Sequence, residues 1–251
     1  MAELPGEAFS HAKKYNLVSG LEDIYISERT EQIGVTWQNG LVWDKKLIEK
    51  FYSILKDRND FFVVLDIGAQ TGCFTLLAKY FPNSMWYAFE PINEAVDELK
   101  VNLALNDIKN VSVYPVCISN YPKEDYLKVP KDINVVCGNA EWGLATLGEK
   151  IVRFKEYEIR KVKCITLDQF IESEHVKKVD FIKIDTEGWE LFVLEGGKTL
   201  ISQSRPIILM EFNQKNLYQC SVTEHDIYQF LKEFDYEWEF VSPEDILCRP
   251  I

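Results

Sequence analysis

Two sets of acidic residues in this 251-residue chain stand where strand-like runs end. The first follows "VVLDIGAQTG" (63–72), an apolar run that stops on Asp66 and turns through Gly68 and Gly72; Glu90 lies eighteen residues beyond. The second is Asp185 and Glu187, with Lys183 just before them, joined by Glu211, with Asn213 beside it, at the end of a later run. A carboxylate at Glu90 accepts hydrogen bonds from both hydroxyls of a ribose, and Asp66 accepts from an ammonium, directly or through water. Glycines at 68 and 72 let Ala69, Gln70 and Thr71 pass close to a ligand. The loop is not a dinucleotide fingerprint, because Gln70 and Cys73 replace the second and third glycines of G-x-G-x-x-G. No Gly-Lys-Ser/Thr follows, so it is not a phosphate loop either. An amino acid at one strand tip and a ribose at the next describe S-adenosylmethionine, with Pro91 and Ile92 continuing the nucleoside side.

Methyl transfer to an alcohol needs the acceptor oxygen held in line and its proton removed. Alternation along "FIKID" places Lys183 and Asp185 on one face of a strand. Asp185 and Glu211 therefore converge, and two chemistries stay open: one carboxylate is a general base, or the pair holds Mg²⁺. Glu187 is expected at a helix start, where its charge is favourable with or without a chemical role. Lys183 is a catalytic candidate or an ion-pair partner of Asp185 or Glu211. His225, inside a helix capped by Thr223, reads as a surface residue. Glu141 and Trp142, between Gly138 and Gly148, form a candidate acceptor lid, with Trp189, Asn213 and Trp43 as further lining candidates.

The elements that position these residues alternate in period. Strands are expected at 61–67, 84–90, 110–118, 178–185 and 205–213, with two more closing the chain around "VSPED" (241–245). Helices are expected at 44–57, 73–81, 93–106 (capped by Asn93), 166–173 (capped by Thr166), 189–203 with a Gly-Gly break, and 223–234. Residues 119–150 read as irregular, and 150–165 as a hairpin or strand pair; Pro115 weakens the strand around it. The order predicts an α/β fold: a doubly wound, seven-stranded, mostly parallel sheet of the Rossmann-like class, with one antiparallel C-terminal strand.

Composition excludes several alternatives. A net charge of −12 argues against a nucleic-acid partner and suits a neutral or cationic one. No apolar run reaches the roughly 20 residues of a membrane helix. Residues 1–16 lack the apolar core of a secretion signal. Six scattered cysteines without a C-x-x-C pair predict buried thiols in a cytoplasmic protein.

"VVLDIGAQTGCFTLLAKYF", "AFEPINEAVDELKVNLALN", "ITLDQFIE", "VDFIKIDTEGWELFVLEGGKTLI" and "RPIILMEFN" together resemble the FkbM family of S-adenosylmethionine-dependent O-methyltransferases. The K-I-D-x-E-G block at 183–188 and Phe-Glu-Pro at 89–91 carry most of the likeness. Gln70 departs from the family's usual Asn but keeps an amide, and Trp189 stands where a small residue is common. The resemblance implies the seven-stranded methyltransferase fold, a hydroxyl acceptor, and sugars or polyketide-type hydroxyls as substrates. It covers residues 43–251, expected as the methyltransferase domain, and leaves 1–42 as an N-terminal extension packed on it. The rivals are a nicotinamide-dependent oxidoreductase, lacking its glycine signature; a small-molecule N-methyltransferase, lacking the Pro-Pro motif; and a non-catalytic module binding a glycan or partner, for which the cofactor residues are too intact.

Overall fold

In the computed structural model, residues 12–33, 37–38, 41–42, 45–131 and 142–251 are described. Their strands, in chain order, are β1 (Lys13–Tyr15), β2 (Ile24–Ile26), β3 (Trp37–Gln38), β4 (Leu41–Val42), β5 (Phe62–Ile67), β6 (Ser84–Phe89), β7 (Val111–Tyr114), β8 (Cys117–Ile118), β9 (Lys123–Pro130), β10 (Tyr157–Ile165), β11 (Phe181–Ile184), β12 (Ile207–Glu211), β13 (Tyr236–Ser242) and β14 (Asp245–Pro250). Seven of them form one sheet in the order β13-β14-β12-β11-β5-β6-β7. All neighbours from β12 to β7 are parallel, and β14 runs antiparallel to both β12 and β13. The sheet is the doubly wound α/β architecture expected, with its single reversed strand at the C-terminus.

Apolar side chains on both faces drive this arrangement. All six residues of β5 are buried, as befits a central parallel strand covered on both sides. On one face Phe51 meets Phe74, Trp86 and Phe181 edge-on, at centroid distances of 5.9, 6.3 and 6.4 Å. On the other, Phe170 packs edge-on against Tyr87, Phe89 and Tyr114. Each fully buried side chain of this size contributes roughly 1.5–3 kcal/mol. Tyr15, Leu17, Ile24 and Ile26 join the first of these cores, so the N-terminal strands pack onto the sheet's helical layer.

Several local expectations are corrected. The 110–118 run is two strands, because Pro115 offers no amide to a ladder; β8 leaves the main sheet and pairs with β10. The hairpin expected within 150–165 is one strand, β10, whose antiparallel partner is the distant β9. The 73–81 run is a 3-10 helix, Thr75–Tyr80. Asn93 is the first helical residue, not the cap; Ile92 takes that place and donates its N–H to Glu90. Thr166 and Thr223 do cap their helices, each in a reciprocal capping box.

Candidate functional site

β5 is the switch point of the sheet: the chain runs outward through β6 and β7, then returns to β11 on the other side. Crevices at such points lie beyond the carboxyl ends of the strands. There the loop after β5 touches the loop after β11. The Gly68 and Ala69 amides donate to the Phe89 carbonyl, and the Asp185 amide donates to that of Ile67. A Cβ on Gly68 would lie 1.8 Å from the Asp185 carbonyl oxygen, and its φ of +78° is left-handed. Gln70 is left-handed as well, at φ 49°.

Glu90 joins the two strand tips. It is buried, and its oxygens accept from the Gln70 amide at 3.0 Å and the Ile92 amide at 2.9 Å. Burial raises its pKa to about 7 against those two hydrogen bonds. A carboxylate has about four acceptor positions, so two remain for a ribose diol. Asp66 has 0% exposure. One oxygen accepts from the Thr75 hydroxyl at 2.5 Å, and the other lies 3.6 Å from Lys183 Nζ. Both Asp66 oxygens thus face protein groups, the Thr75 hydroxyl and the Lys183 ammonium.

Lys183 is buried between both acid sets. Its ammonium donates to the Gly68 carbonyl at 3.1 Å and pairs with Asp185 at 3.4 Å. It also lies 5.0 Å from the centre of the Phe74 ring. Burial opposes its charge, yet Asp185 and Asp66 raise its pKa. The geometry makes Lys183 the strut between β5 and β11.

The second acid set forms one cluster. Oxygens of Asp185, Glu187 and Glu211 lie within 4.8 Å of one another. The Asp185 side chain is 43% exposed, whereas Glu187 is 12% exposed and pairs with Arg153 at 2.6 Å. Asn216 donates to both Glu187 (2.7 Å) and Glu211 (2.9 Å). The remaining Glu211 oxygen, Oε2, is buried without a hydrogen-bond partner. Burial raises the pKa of Glu187 to about 8, and Asp185 and Glu190 add to the effect that Arg153 opposes. Burial, then Glu187 and Asp185, hold Glu211 well above the usual carboxylate range.

Sequence reasoning missed Glu190, Asn216 and Arg153. The Glu190 carboxylate accepts from the Thr186 amide and hydroxyl and from the Gly188 amide, so it shapes the loop carrying Glu187. Thr186 four residues before Glu190 was the available signal; Arg153 and Asn216 meet Glu187 only through the fold. Glu187 precedes the helix Glu190–Glu195 rather than starting it.

The acceptor-side expectations divide. Asn213 caps the helix Gln214–Gln219, accepting from Lys215 and Asn216 amides. The Trp189 indole donates to Ser119, meets the Phe192 ring at a tilt with centroids 4.0 Å apart and lies under Lys123. His225 is exposed on its helix. Trp43, Glu141 and the Trp142 side chain lie outside the described residues. Later residues of the 138–148 segment approach the two loops: a Cβ on Gly143 would meet the side-chain Nε2 of Gln70 at 2.6 Å, and Thr146 donates to the Glu187 carbonyl at 3.0 Å.

The family model described as "Methyltransferase FkbM domain" matches residues 66–238. The chain belongs to the FkbM methyltransferase family. That match contains both FkbM acid sets and the glycine loop between β5 and its helix. "Methyltransferase sdnD" from Sordaria araneosa is 28% identical over 155 residues, which are 53% of this chain and 59% of the relative. The solved "Methyltransferase FkbM" from Methylobacillus flagellatus KT shares the fold at a TM-score of 0.50 and 17% identity, covering 77% of this chain and 45% of that one. This FkbM chain thus spans about half the length of these relatives. Among its described residues no helix is long and apolar enough to cross a membrane.

The raised acids set a pH dependence. Glu90 and Glu190 lie near 7, Glu187 near 8 and Asp245 near 6, all raised first by burial. Above the unfolded value the unfolded chain has released these protons while the folded chain keeps them, so stability falls as pH rises. The decline begins near the ordinary carboxylate range and levels off near pH 8. One group raised from 4.5 to about 7 contributes about 3 kcal/mol of this loss. Thermal melts of the free protein should show Tm falling by several degrees between pH 5 and 8; a flat profile would mean that these acids ionise at no cost.

Proposed function

We propose that this chain transfers a methyl group from S-adenosylmethionine to a hydroxyl, with a sugar in a glycan as the first acceptor class and a polyketide or other small-molecule hydroxyl as the second. The observation that carries the reading is the contact of Gly68 with Asp185, which sets a ribose-competent Glu90 and an acid cluster on either side of one crevice. The cofactor supplies an electrophilic methyl on a sulfonium. Glu90 and the glycine loop bind and orient its nucleoside, and Lys183 fixes the distance between the two loops. Asp185, the most open of the acids, accepts the proton as the acceptor oxygen gains the methyl. Glu211 and Glu187 shape the acceptor side, and the 142–148 segment screens it from water. The buried free thiols Cys117, Cys164, Cys220 and Cys248 fit a reducing, cytoplasmic setting.

Calorimetry with S-adenosylhomocysteine tests the cofactor half. Wild type should bind, and Glu90→Ala should weaken binding at least tenfold, by roughly 1.5–3 kcal/mol for a hydrogen bond to a charged group. Equal affinity in the two proteins would remove Glu90 from the cofactor site. A second reading rests on the unpartnered Glu211 oxygen. Three hard oxygen donors this close suit Mg²⁺, which Asp185, Glu187 and Glu211 would hold and which would acidify the acceptor hydroxyl. Loss of transfer in EDTA, restored by Mg²⁺, supports that reading; full activity in EDTA excludes it.

A further inference from the structure

The N-terminal strands precede the family match, yet they are tied to the cofactor loop by a fully buried polar network. Its centre is Asn102 on the helix Asn93–Leu105, with 0% exposure. Asn102 Oδ1 accepts from the Ser27 amide at 3.0 Å. Its Nδ2 donates to the Thr30 hydroxyl at 3.1 Å and to the Thr71 carbonyl, in the glycine loop, at 3.0 Å. One turn earlier, Glu98 accepts from the hydroxyls of Ser27 (2.6 Å) and Thr30 (2.8 Å) and pairs with Arg29. One turn later, Asn106 exchanges hydrogen bonds with the backbone of Tyr25. Glu98, Asn102 and Asn106 form a stripe at i, i+4 and i+8 that receives residues 25–30.

This helix also presses on the loop directly, since a Cβ on Gly72 would meet Leu99 at 2.5 Å. Thr71 sits between left-handed Gln70 and Gly72, at φ 49° and 104°. A carboxamide alone supplies the two donors and one acceptor that Asn102 uses; aspartate lacks the donors and leucine lacks all three. Burial raises the cost of leaving any of them unpaired.

We propose that Asn102 is a positioning residue for the cofactor loop, and that residues 25–30 act through it to hold Thr71 in its binding conformation. The inference rests on the cofactor reading of that loop. The reacting acids stand just after β11 and at the end of β12, so a disturbed network weakens cofactor binding and leaves the chemical step largely alone.

Thr30 hydrogen-bonds Ser27, Asn102 and Glu98 and stands in sequence far from the loop, which makes it the cleanest probe. In the full chain, Thr30→Val should raise the dissociation constant for S-adenosylhomocysteine roughly tenfold, the scale of one buried hydrogen bond. It should raise KM for the methyl donor likewise, with kcat within about twofold of wild type at saturation. Thr30→Ser, which keeps the hydroxyl, should restore wild-type affinity. Tyr236→Phe, which removes a buried hydrogen bond to the Pro206 carbonyl, serves as a destabilised control and should bind normally. Wild-type affinity in both Thr30→Val and Asn102→Ala would overturn the inference; if Asn102→Ala fails to fold, Thr30→Val decides alone. A wild type that binds no S-adenosylhomocysteine would instead defeat the cofactor reading, and this inference with it.

Discussion

Asp185→Asn is expected to lower turnover roughly a thousandfold, the midrange for loss of a general base, while S-adenosylhomocysteine binds as before. Asparagine keeps the shape and a hydrogen bond toward Lys183's neighbourhood but takes no proton. Asp185 is singled out over Glu211 by access: its side chain is 43% exposed, whereas Glu211 is committed on one oxygen to Asn216 and buried on the other. Single-turnover methyl transfer, measured beside calorimetry, separates the two effects. Retained turnover would remove Asp185 from the chemistry; joint loss of binding and turnover would recast it as a structural acid.

The second large effect is expected at Gly68. Gly68→Ala forces a methyl group to within 1.8 Å of the Asp185 carbonyl oxygen at a left-handed φ of +78°. Backbone on both sides prevents the relief that a flexible side chain would give. Destabilisation of about 4 kcal/mol or more is expected, which corresponds to roughly 10 °C in Tm for a domain of this size. Gly20 is the control, because its φ of +83° is also left-handed but nothing lies within 4 Å of its added Cβ. Gly20→Ala should cost only about 1–2 kcal/mol. Equal Tm losses for the two variants would show that conformation alone, not the closeness of the loops, governs Gly68.

The centre of the seven-stranded sheet was legible because its strands there are local apolar runs with their own turn signals. "FFVVLDI" needs no partner to be recognised. β9 was not legible: "KEDYLKVP" is half charged, and its inward positions include Lys123 and Asp125, paired at 2.6 Å. Its partner, β10, is the distant run 157–165, a relation that no local window contains. The acid cluster was half legible for the same reason. Strand tips identify Asp185 and Glu211, but the buried Asn216 that joins Glu211 to Glu187 is fixed only by packing after β12. Glu90 shows a subtler limit. Its placement at a strand end follows from pattern, whereas its two amide partners depend on the loops meeting. Helical residue types at 75–80 did not reveal 3-10 geometry, where Leu77 and Phe81 donate three residues back.

The small sheet β8-β10-β9 enters at Pro115, beside an edge strand, and leaves at Thr166, where a helix begins afresh. The first seam follows Tyr114, whose carbonyl accepts from the Glu90 amide, and the inserted stretch brings Gly143 to Gln70 and Thr146 to Glu187. Gly143 and Thr146 of that excursion thus border the glycine loop and the acid cluster at once. Splicing at those two seams would therefore alter what borders the crevice while leaving the seven-stranded sheet in place.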